Sequence, residues 1–234
     1  MKKFATLLAA ATLVALTASS AMAANQVRIS QVYGGGGAGA STTVTYQSDY
    51  VELFNSGGTP VNIGGWVVEY GSSTGNWGSA ATNYATLPVG AVIAPCSYYL
   101  VAVGPATGAN TNTLPTPDFT NTSGPSMSGS NGKVALFNAL NANTPCGSEI
   151  AGTLVDKVAY GAANCSETAA VGVLSTTSGA VRNNGGITDT DNNSSDFTVV
   201  SNPVPHNSLS GANASCLATP TTKATWGALK SIYR

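Results

Sequence analysis

Short segments in which apolar and polar residues alternate recur along most of the chain. In a strand, successive side chains point to opposite faces, so this alternation predicts strands with one buried face. Val51 and Leu53 would face one side of such a strand. Tyr50, Glu52 and Phe54 would face the other side. The predicted strands are 27–33, 49–55, 65–70, 97–103, 133–137, 154–160 and 196–200, with short extended pieces at 60–63 and 91–94.

Turn-forming residues separate these segments. The Asn-Ser-Gly-Gly sequence at 55–58 is a turn signal, and residues 104–130 are so rich in Gly, Pro, Thr and Asn that they predict a long loop. No segment before residue 220 has a helical period. Many short strands with turns between them predict an all-β protein, a sandwich or a barrel with long loops, in which Trp66 anchors the core.

The first residues have the features of a secretory signal peptide. Lys2 and Lys3 precede an apolar stretch at 4–17, and Ala21 and Ala23 precede the expected cleavage site. The apolar stretch is too short for a good membrane span, and no second one follows. We therefore expect export of a mature chain that begins at residue 24, in a bacterial cell, with residues 1–23 removed and no transmembrane span.

Charge is scarce and slightly negative. The chain has 9 Lys and Arg, 10 Asp and Glu and 1 His, and charged residues make up 8% of it. Removal of Lys2 and Lys3 with the signal peptide makes the mature chain more acidic. Nucleic-acid binding through phosphates needs clustered Lys and Arg, so this charge argues against a nucleic-acid partner.

Four cysteines suggest two disulfides in an oxidising compartment. Three pairings are possible. Cys146 and Cys165 bracket one predicted strand, which favours their pairing and leaves Cys96 with Cys216.

An acidic segment is the sharpest candidate site. Asp189, Asp191, Asn193 and Asp196 supply oxygen ligands with a spacing like the start of a calcium-binding loop. The Gly and Glu that complete an EF-hand loop are absent, and Asp and Asn also form plain turns through their side chains. Calcium is the one cofactor that the sequence suggests, and a plain turn is the alternative.

Catalytic chemistry has little support. His206 lies in a Pro-His-Asn segment, a poor place for the base of a catalytic triad. Asp49 and Glu52 are three apart on a predicted strand and would face opposite sides; Asp49 would end a loop, and Glu52 would point outward or cap a loop backbone. The glycines at 34–37 lack the Lys and helix of a phosphate loop and predict a mobile loop.

Aromatic residues in loop-like segments offer another candidate surface. Tyr46, Trp77 and Tyr84 could stack on sugars or proteins, or they could cover the ends of the core.

The composition changes after Cys216. Residues 217–222 predict a linker, and 223–234 predict a short basic amphipathic helix. Such a tail needs a partner, which could be the domain itself, a membrane surface or a sorting receptor. The tail residues that would be recognised are Trp226, Leu229, Lys230, Tyr233 and Arg234.

Several segments occur together in a characteristic order. They are Arg28-Ile-Ser-Gln-Val-Tyr33, Asp49-Tyr-Val-Glu-Leu-Phe-Asn55, Gly64-Gly-Trp66, Leu87-Pro-Val-Gly90, Tyr99-Leu-Val101, Gly129-Ser-Asn-Gly-Lys-Val-Ala-Leu136, Val155-Asp-Lys-Val-Ala-Tyr-Gly161, Ala180-Val-Arg182, Asp189-Thr-Asp-Asn-Asn193, Asp196-Phe197 and Pro205-His-Asn-Ser208. This ordered set, over about residues 27–208, resembles the bacterial lamin tail domain. The resemblance implies an immunoglobulin-like β-sandwich over residues 24–216.

The resemblance also bears on function. Bacterial domains of this family are exported, often beside nuclease or phosphatase domains, and act alone as binding or surface modules without catalytic residues. We therefore expect a non-catalytic, secreted or cell-surface module of the adhesion or matrix type that binds a protein or glycan. The alternatives are a structural subunit that self-associates through edge strands and an accessory module of an extracellular hydrolase.

Overall fold

A computed structural model describes residues 26–109 and 112–217. The strands are β1 Val27–Tyr33, β2 Asp49–Asn55, β3 Val61–Asn62, β4 Val67–Gly71, β5 Tyr84–Thr86, β6 Val92–Ile93, β7 Tyr98–Val103, β8 Phe119–Asn121, β9 Gly132–Phe137, β10 Leu154–Tyr160, β11 Ser178–Arg182 and β12 Phe197–Ser201. Short 3₁₀ helices span Ala81–Asn83 and Asn183–Gly186, and the α-helices are α1 Asn193–Asp196 and α2 Ala214–Leu217.

The strands form two facing sheets and a small closing pair. The larger sheet has the order β12-β11-β1-β2-β7-β8, and the smaller sheet has the order β10-β9-β4-β5. These strands pair in antiparallel fashion, except for the parallel pair of β7 and β8. The predicted all-β, immunoglobulin-like sandwich is confirmed.

Alternation along the strands decides what fills the space between the sheets. Val51 and Leu53 of β2 lie in the main core, as predicted. Tyr50 faces the other way and packs in a separate cluster with Tyr33 and Leu100. Burying an aliphatic side chain fully contributes about 1.5–3 kcal/mol, so the inward face of β2 is a large share of the stability.

Three strands were not predicted, and the burial of two tryptophans differs from the prediction. β5, β8 and β11 are short, and β8 lies within the segment predicted as one long loop. Phe119 is the one large apolar residue of β8, so no alternation marks this strand. Trp66 is half-buried against the core, whereas Trp77, which the sequence placed in an accessible loop, is fully buried.

Both ends of the described domain meet at one end of the sandwich, here called the terminal pole. The Gln26 carbonyl accepts the N–H of Ser56 at 2.8 Å, and the Ser56 carbonyl lies 3.5 Å from the Cys216 sulfur. Disulfides join Cys96 to Cys216 and Cys146 to Cys165, which confirms the predicted pairing.

The opposite end, here called the loop pole, carries the loops that precede β2 and follow β1 and β7. Strands of seven residues such as β1 separate the two poles by about 20 Å. The glycines predicted as a mobile loop are packed here. A side chain at Gly34 would approach the Ser128 carbonyl oxygen to 2.5 Å, and one at Gly36 would approach the Ser48 carbonyl carbon to 2.3 Å. These glycines therefore allow close contact between loops.

Asp49 begins β2 and is buried at the loop pole. Its side chain does not lie at an exposed loop end: the residue is 1% exposed. Its Oδ2 accepts the N–H of Met127 at 2.7 Å, and its Oδ1 has no hydrogen-bond partner among the described residues. Burial raises the pKa of this carboxyl to about 8, despite hydrogen bonds from Met127 and Gly36 that lower it.

Asp49→Asn should change how stability depends on pH. The unfolded chain releases this proton near pH 4, whereas the folded protein retains it up to about pH 8. The stabilisation is therefore complete below about pH 4 and decreases as pH rises through the window to 8. Asn keeps an acceptor for Met127 and cannot ionise. We expect the difference in melting temperature, Asp49→Asn minus wild type, to be larger at pH 8.5 than at pH 4.5 by about 5 °C or more.

Exposed Asp191→Asn is the matched control for this measurement, because it removes the same charge at the surface. If the difference in melting temperature between wild type and Asp49→Asn is the same at both pH values, the raised pKa of Asp49 is contradicted.

Candidate functional site

The predicted calcium loop is not a ring of ligands. Asn193 is buried, and its Oδ1 accepts the N–H groups of Ala159 and Glu167 at 3.0 and 3.1 Å. Asp191 is exposed and has a left-handed backbone conformation (φ 55°). The structure therefore uses one predicted ligand to hold backbone and leaves another at the surface.

Asp189 and Asp196 do come together, and they are joined by Glu167, which the sequence did not single out. One carboxylate oxygen of each lies within 4.8 Å of the others. Arg182 faces this group: its Nη1 is 3.0 Å from Asp189 Oδ1 and 3.8 Å from Asp196 Oδ2. Its Nη2 is 2.7 Å from Asp156 Oδ2. A buried guanidinium thus supplies positive charge to the cluster.

Asp196 also forms the turn that was the alternative prediction. Its carboxylate accepts the N–H of Thr190 at 2.8 Å and the hydroxyl of Thr190 at 2.7 Å. Burial raises the pKa of Asp196, but these hydrogen bonds and that from Asn192 outweigh it and lower the pKa overall. Burial raises the pKa of Glu167 to about 8, and the charge of Asp156 adds to this effect.

His206 is held by Glu52. Its N–H donates to Glu52 Oε2, and its ring Nδ1 lies 3.2 Å from the same oxygen. The imidazole stacks on Tyr98 with ring centroids 4.6 Å apart. Glu52 was expected to point outward or cap a loop; it does cap the backbone of His206, but it is 1% exposed because the segment after β12 covers it. These residues line a recess of about 50 Å³.

This arrangement lacks a nucleophile paired with a base. The Ser30 hydroxyl donates to Glu52 Oε1 at 2.6 Å, so serine and histidine both face the same carboxylate. A triad needs the hydroxyl to face the imidazole. The contact with Glu52 raises the pKa of His206, although burial opposes this effect.

The candidate aromatic surface is mostly internal. Trp77 packs edge-on against Phe137, beneath the outer face of the smaller sheet. Tyr46 is half-buried with Tyr33 and Tyr50, 5.9 Å from each ring. Tyr84 is half-buried in β5. These rings therefore cover the sheets, and Trp77 is not accessible for stacking on a ligand.

The described surface is almost free of exposed charge. Asp189 and Asp191 are its exposed charged residues. The basic residues of this part are all buried or half-buried: Arg28, Lys133, Lys157 and Arg182. The described domain therefore offers no basic patch for phosphate groups.

A recess lies on the outer face of the larger sheet, beside the loop pole. Its volume is about 240 Å³, and amide and hydroxyl side chains such as Gln47, Ser48 and Thr113 line it with apolar Ala102 and Leu114. Such a lining offers hydrogen bonds and apolar contact to an uncharged ligand.

Two predicted segments lie outside the described residues. These are the signal peptide at 1–23 and the tail at 223–234, with Trp226, Leu229, Lys230, Tyr233 and Arg234. Within the described ranges, the helices are too short to cross a membrane.

Calcium remains a prediction that a melting experiment can check. Because Arg182 and Arg28 already offset part of the carboxylate charge, we expect calcium or a chelator at about 5 mM to shift the melting temperature by less than about 1 °C. A rise with calcium that magnesium does not reproduce, and that Asp189→Asn abolishes, would instead establish a site.

Another prediction concerns the clasp, the hydrogen-bonded contact of His206 with Glu52. Because the folded-state pKa of His206 is raised, its stabilisation is complete below about pH 6.5 and is lost as pH rises through the folded value. We expect His206→Gln to lower the melting temperature by about 1–3 °C at pH 5.5 and by less at pH 8.5. Glu52→Gln is the control that should remove the same pH dependence. Parallel pH profiles for wild type and His206→Gln would disprove the clasp.

Comparison with family models agrees with the architecture. The family model of the lamin tail domain matches residues 20–162. No curated protein matches the chain. A solved structure of a DUF4876 family protein from Bacteroides thetaiotaomicron VPI-5482 has 10% sequence identity and a TM-score of 0.49, and the similarity covers 81% of this chain and 75% of that one.

The family match ends before β11 and β12, although the resemblance in sequence extended to about residue 208. Both strands nevertheless complete the larger sheet, because β11 pairs with β1 and β12 pairs with β11. The match covers more than half of the chain, and the sandwich described above fits it. The chain belongs to the lamin tail domain family.

Proposed function

We propose that this protein is an exported, non-catalytic module that is held at the cell surface by its C-terminal tail and presents its loop pole to a protein or glycan. The two disulfides support an oxidising compartment, and the sequence of residues 1–23 supports export.

The observation that carries this proposal is the position of the domain's ends. Gln26 and Cys216 lie together at the terminal pole, and the Cys96–Cys216 disulfide fixes the second of them. A tether attached through residues 218–234 would therefore hold the terminal pole. The loop pole, at the other end of the strands, would face away from the attachment.

The chemistry near the loop pole favours an uncharged partner. Its neighbouring recess presents amide and hydroxyl groups without a charged side chain. The near absence of exposed charge means that binding would depend little on salt, in contrast to binding of nucleic acid or anionic lipid. Neutral glycans and uncharged protein surfaces fit this chemistry.

A non-catalytic role fits the polar groups that the domain does contain. His206 and Ser30 are both bonded to Glu52, and the acidic cluster is bonded to Arg182. A divalent-ion-dependent activity of the mature chain on DNA or phosphate esters would favour the hydrolase-accessory alternative.

Self-association through an edge strand is the second candidate. β12 is an edge of the larger sheet, and Val199 on it is 40% exposed, beside Gly172 and near the exposed Val173. An open edge with exposed apolar residues can pair with another chain. Concentration-dependent polymers in light scattering would favour this function over display of single modules.

Fractionation of cells that express the full-length chain and a version ending at Thr219 tests the proposal. We expect the full-length protein on the surface and the shorter form in the medium, both with the same melting temperature, because the shorter form retains both disulfides. The control keeps residues 220–234 in shuffled order and should also be released. If both main forms are released and equally folded, the tail is not an anchor and the proposal fails.

A further inference from the structure

A buried lysine lies inside the smaller sheet. Lys133 belongs to β9 and is 0% exposed. Its partner across the sheet is Gly71 of β4, and a side chain at that glycine would come within 2.7 Å of Lys133 Cε. Because Gly71 has no side chain, the aliphatic part of the Lys133 side chain can pass over it.

The amino group of Lys133 has few partners. It donates to Asn164 Oδ1, its one hydrogen-bond acceptor within the described ranges, and it lies 5.4 Å from the centre of the Trp77 ring. Burial lowers the pKa of Lys133, and the nearby charge of Glu149 opposes this effect. Burial thus favours the neutral amine, which is the nucleophilic form.

The position of Asn164 beside this amine is held by a backbone hydrogen bond and by a neighbouring disulfide. Its backbone N–H donates to the Ser73 carbonyl at 2.9 Å, and the next residue, Cys165, is bonded to Cys146. Asn164 is itself exposed, so its side-chain amide faces Lys133 on one side while the residue reaches solvent. Two groups held in contact react as if at very high concentration.

We propose that Lys133 and Asn164 form an intramolecular isopeptide bond. Lys133 Nζ attacks Asn164 Cγ, the new C–N bond forms, and the bond from Cγ to Nδ2 breaks. The leaving nitrogen takes the protons released by the lysine, so a lysine ammonium and a carboxamide become a secondary amide and an ammonium ion. No oxidant, metal or further reactant is needed. The exposure of Asn164 lets the ammonia leave.

The bond would link β9 to the loop after β10. Lys133 and Asn164 are separated by 31 residues in sequence. The cross-link would lie close to the Cys146–Cys165 disulfide, since Cys165 follows Asn164 directly, and it would hold the loop after a reducing agent has opened that disulfide. This inference is independent of the function proposed above.

Intact mass measurement of the purified, reduced mature chain is the test. We expect wild type to be lighter by one ammonia than its sequence predicts, and Asn164→Ala to have its sequence mass. Lys157→Arg is the matched control, because this lysine lies on the neighbouring strand opposite Ala135, and it should retain the loss. Asn164→Ala changes an exposed side chain and should fold, which a disulfide assay and melting curve would show; Lys133→Met is a second variant without the amine.

Loss of ammonia has another source in this chain. Asn131-Gly132 and Asn184-Gly185 can lose ammonia by forming cyclic imides. Digestion must therefore yield one cross-linked peptide that contains both residues 133 and 164. A wild-type chain with its full sequence mass, or a loss of ammonia located at Asn131 or Asn184, would overturn the proposal.

Discussion

The buried side chain of Arg182 joins the two sheets, and the rest of the sandwich depends on it. Its Nε donates to the carbonyl of Ile29 at 2.8 Å, and Asp156 of the facing sheet accepts from both Arg182 Nη2 and the Ile29 N–H. The register between β1 and β2 shifts at this point, between Ile29 and Gln31. Removing one partner of such a buried pair leaves an uncompensated charge and costs about 3–5 kcal/mol. The same guanidinium holds Asp189, so the acidic segment follows from the joint between the sheets.

The outer face of the larger sheet is covered by irregular chain. Antiparallel sheets often leave one face in water, but every residue of β2 is buried here. The Tyr33 hydroxyl accepts the N–H groups of Thr45 and Tyr46 and donates to the Thr176 carbonyl, which holds three loop residues on that face. Glu52 does the same for the segment around His206. Polar groups on an outward face thus order the long loops that a sandwich of this size requires.

Half of the charged residues in the described part of the chain are buried. Asp49, Glu52, Lys133, Asp156 and Arg182 are all nearly inaccessible. Burying a charge is costly unless it is paired or neutralised. Arg182 is paired, the raised pKa of Asp49 keeps it neutral, and Lys133 lies against an amide with which it can react. The described surface that remains is almost free of charge, which suits a displayed module with a neutral partner.

The sequence by itself determined the strand class and the principal strands, because alternation and turn residues are local signals that survive without tertiary context. It also favoured the observed disulfide pairing among three possible ones, since Cys146 and Cys165 bracket one strand. The short strands β5, β8 and β11 carry too few apolar residues to signal themselves, and only pairing with β4, β7 and β1 makes them strands. Alternation predicted the burial of Val51 and Leu53, but the burial of several other residues was decided by the tertiary structure. Trp77 lies in a loop-like segment, Asp49 begins a predicted strand and Glu52 lies within that strand. What covers each of them comes from segments far away along the chain. The contact between Lys133 and Asn164 could not be predicted for the same reason. The two residues meet only when sheet, loop and disulfide are in place, and no spacing in the sequence indicates this.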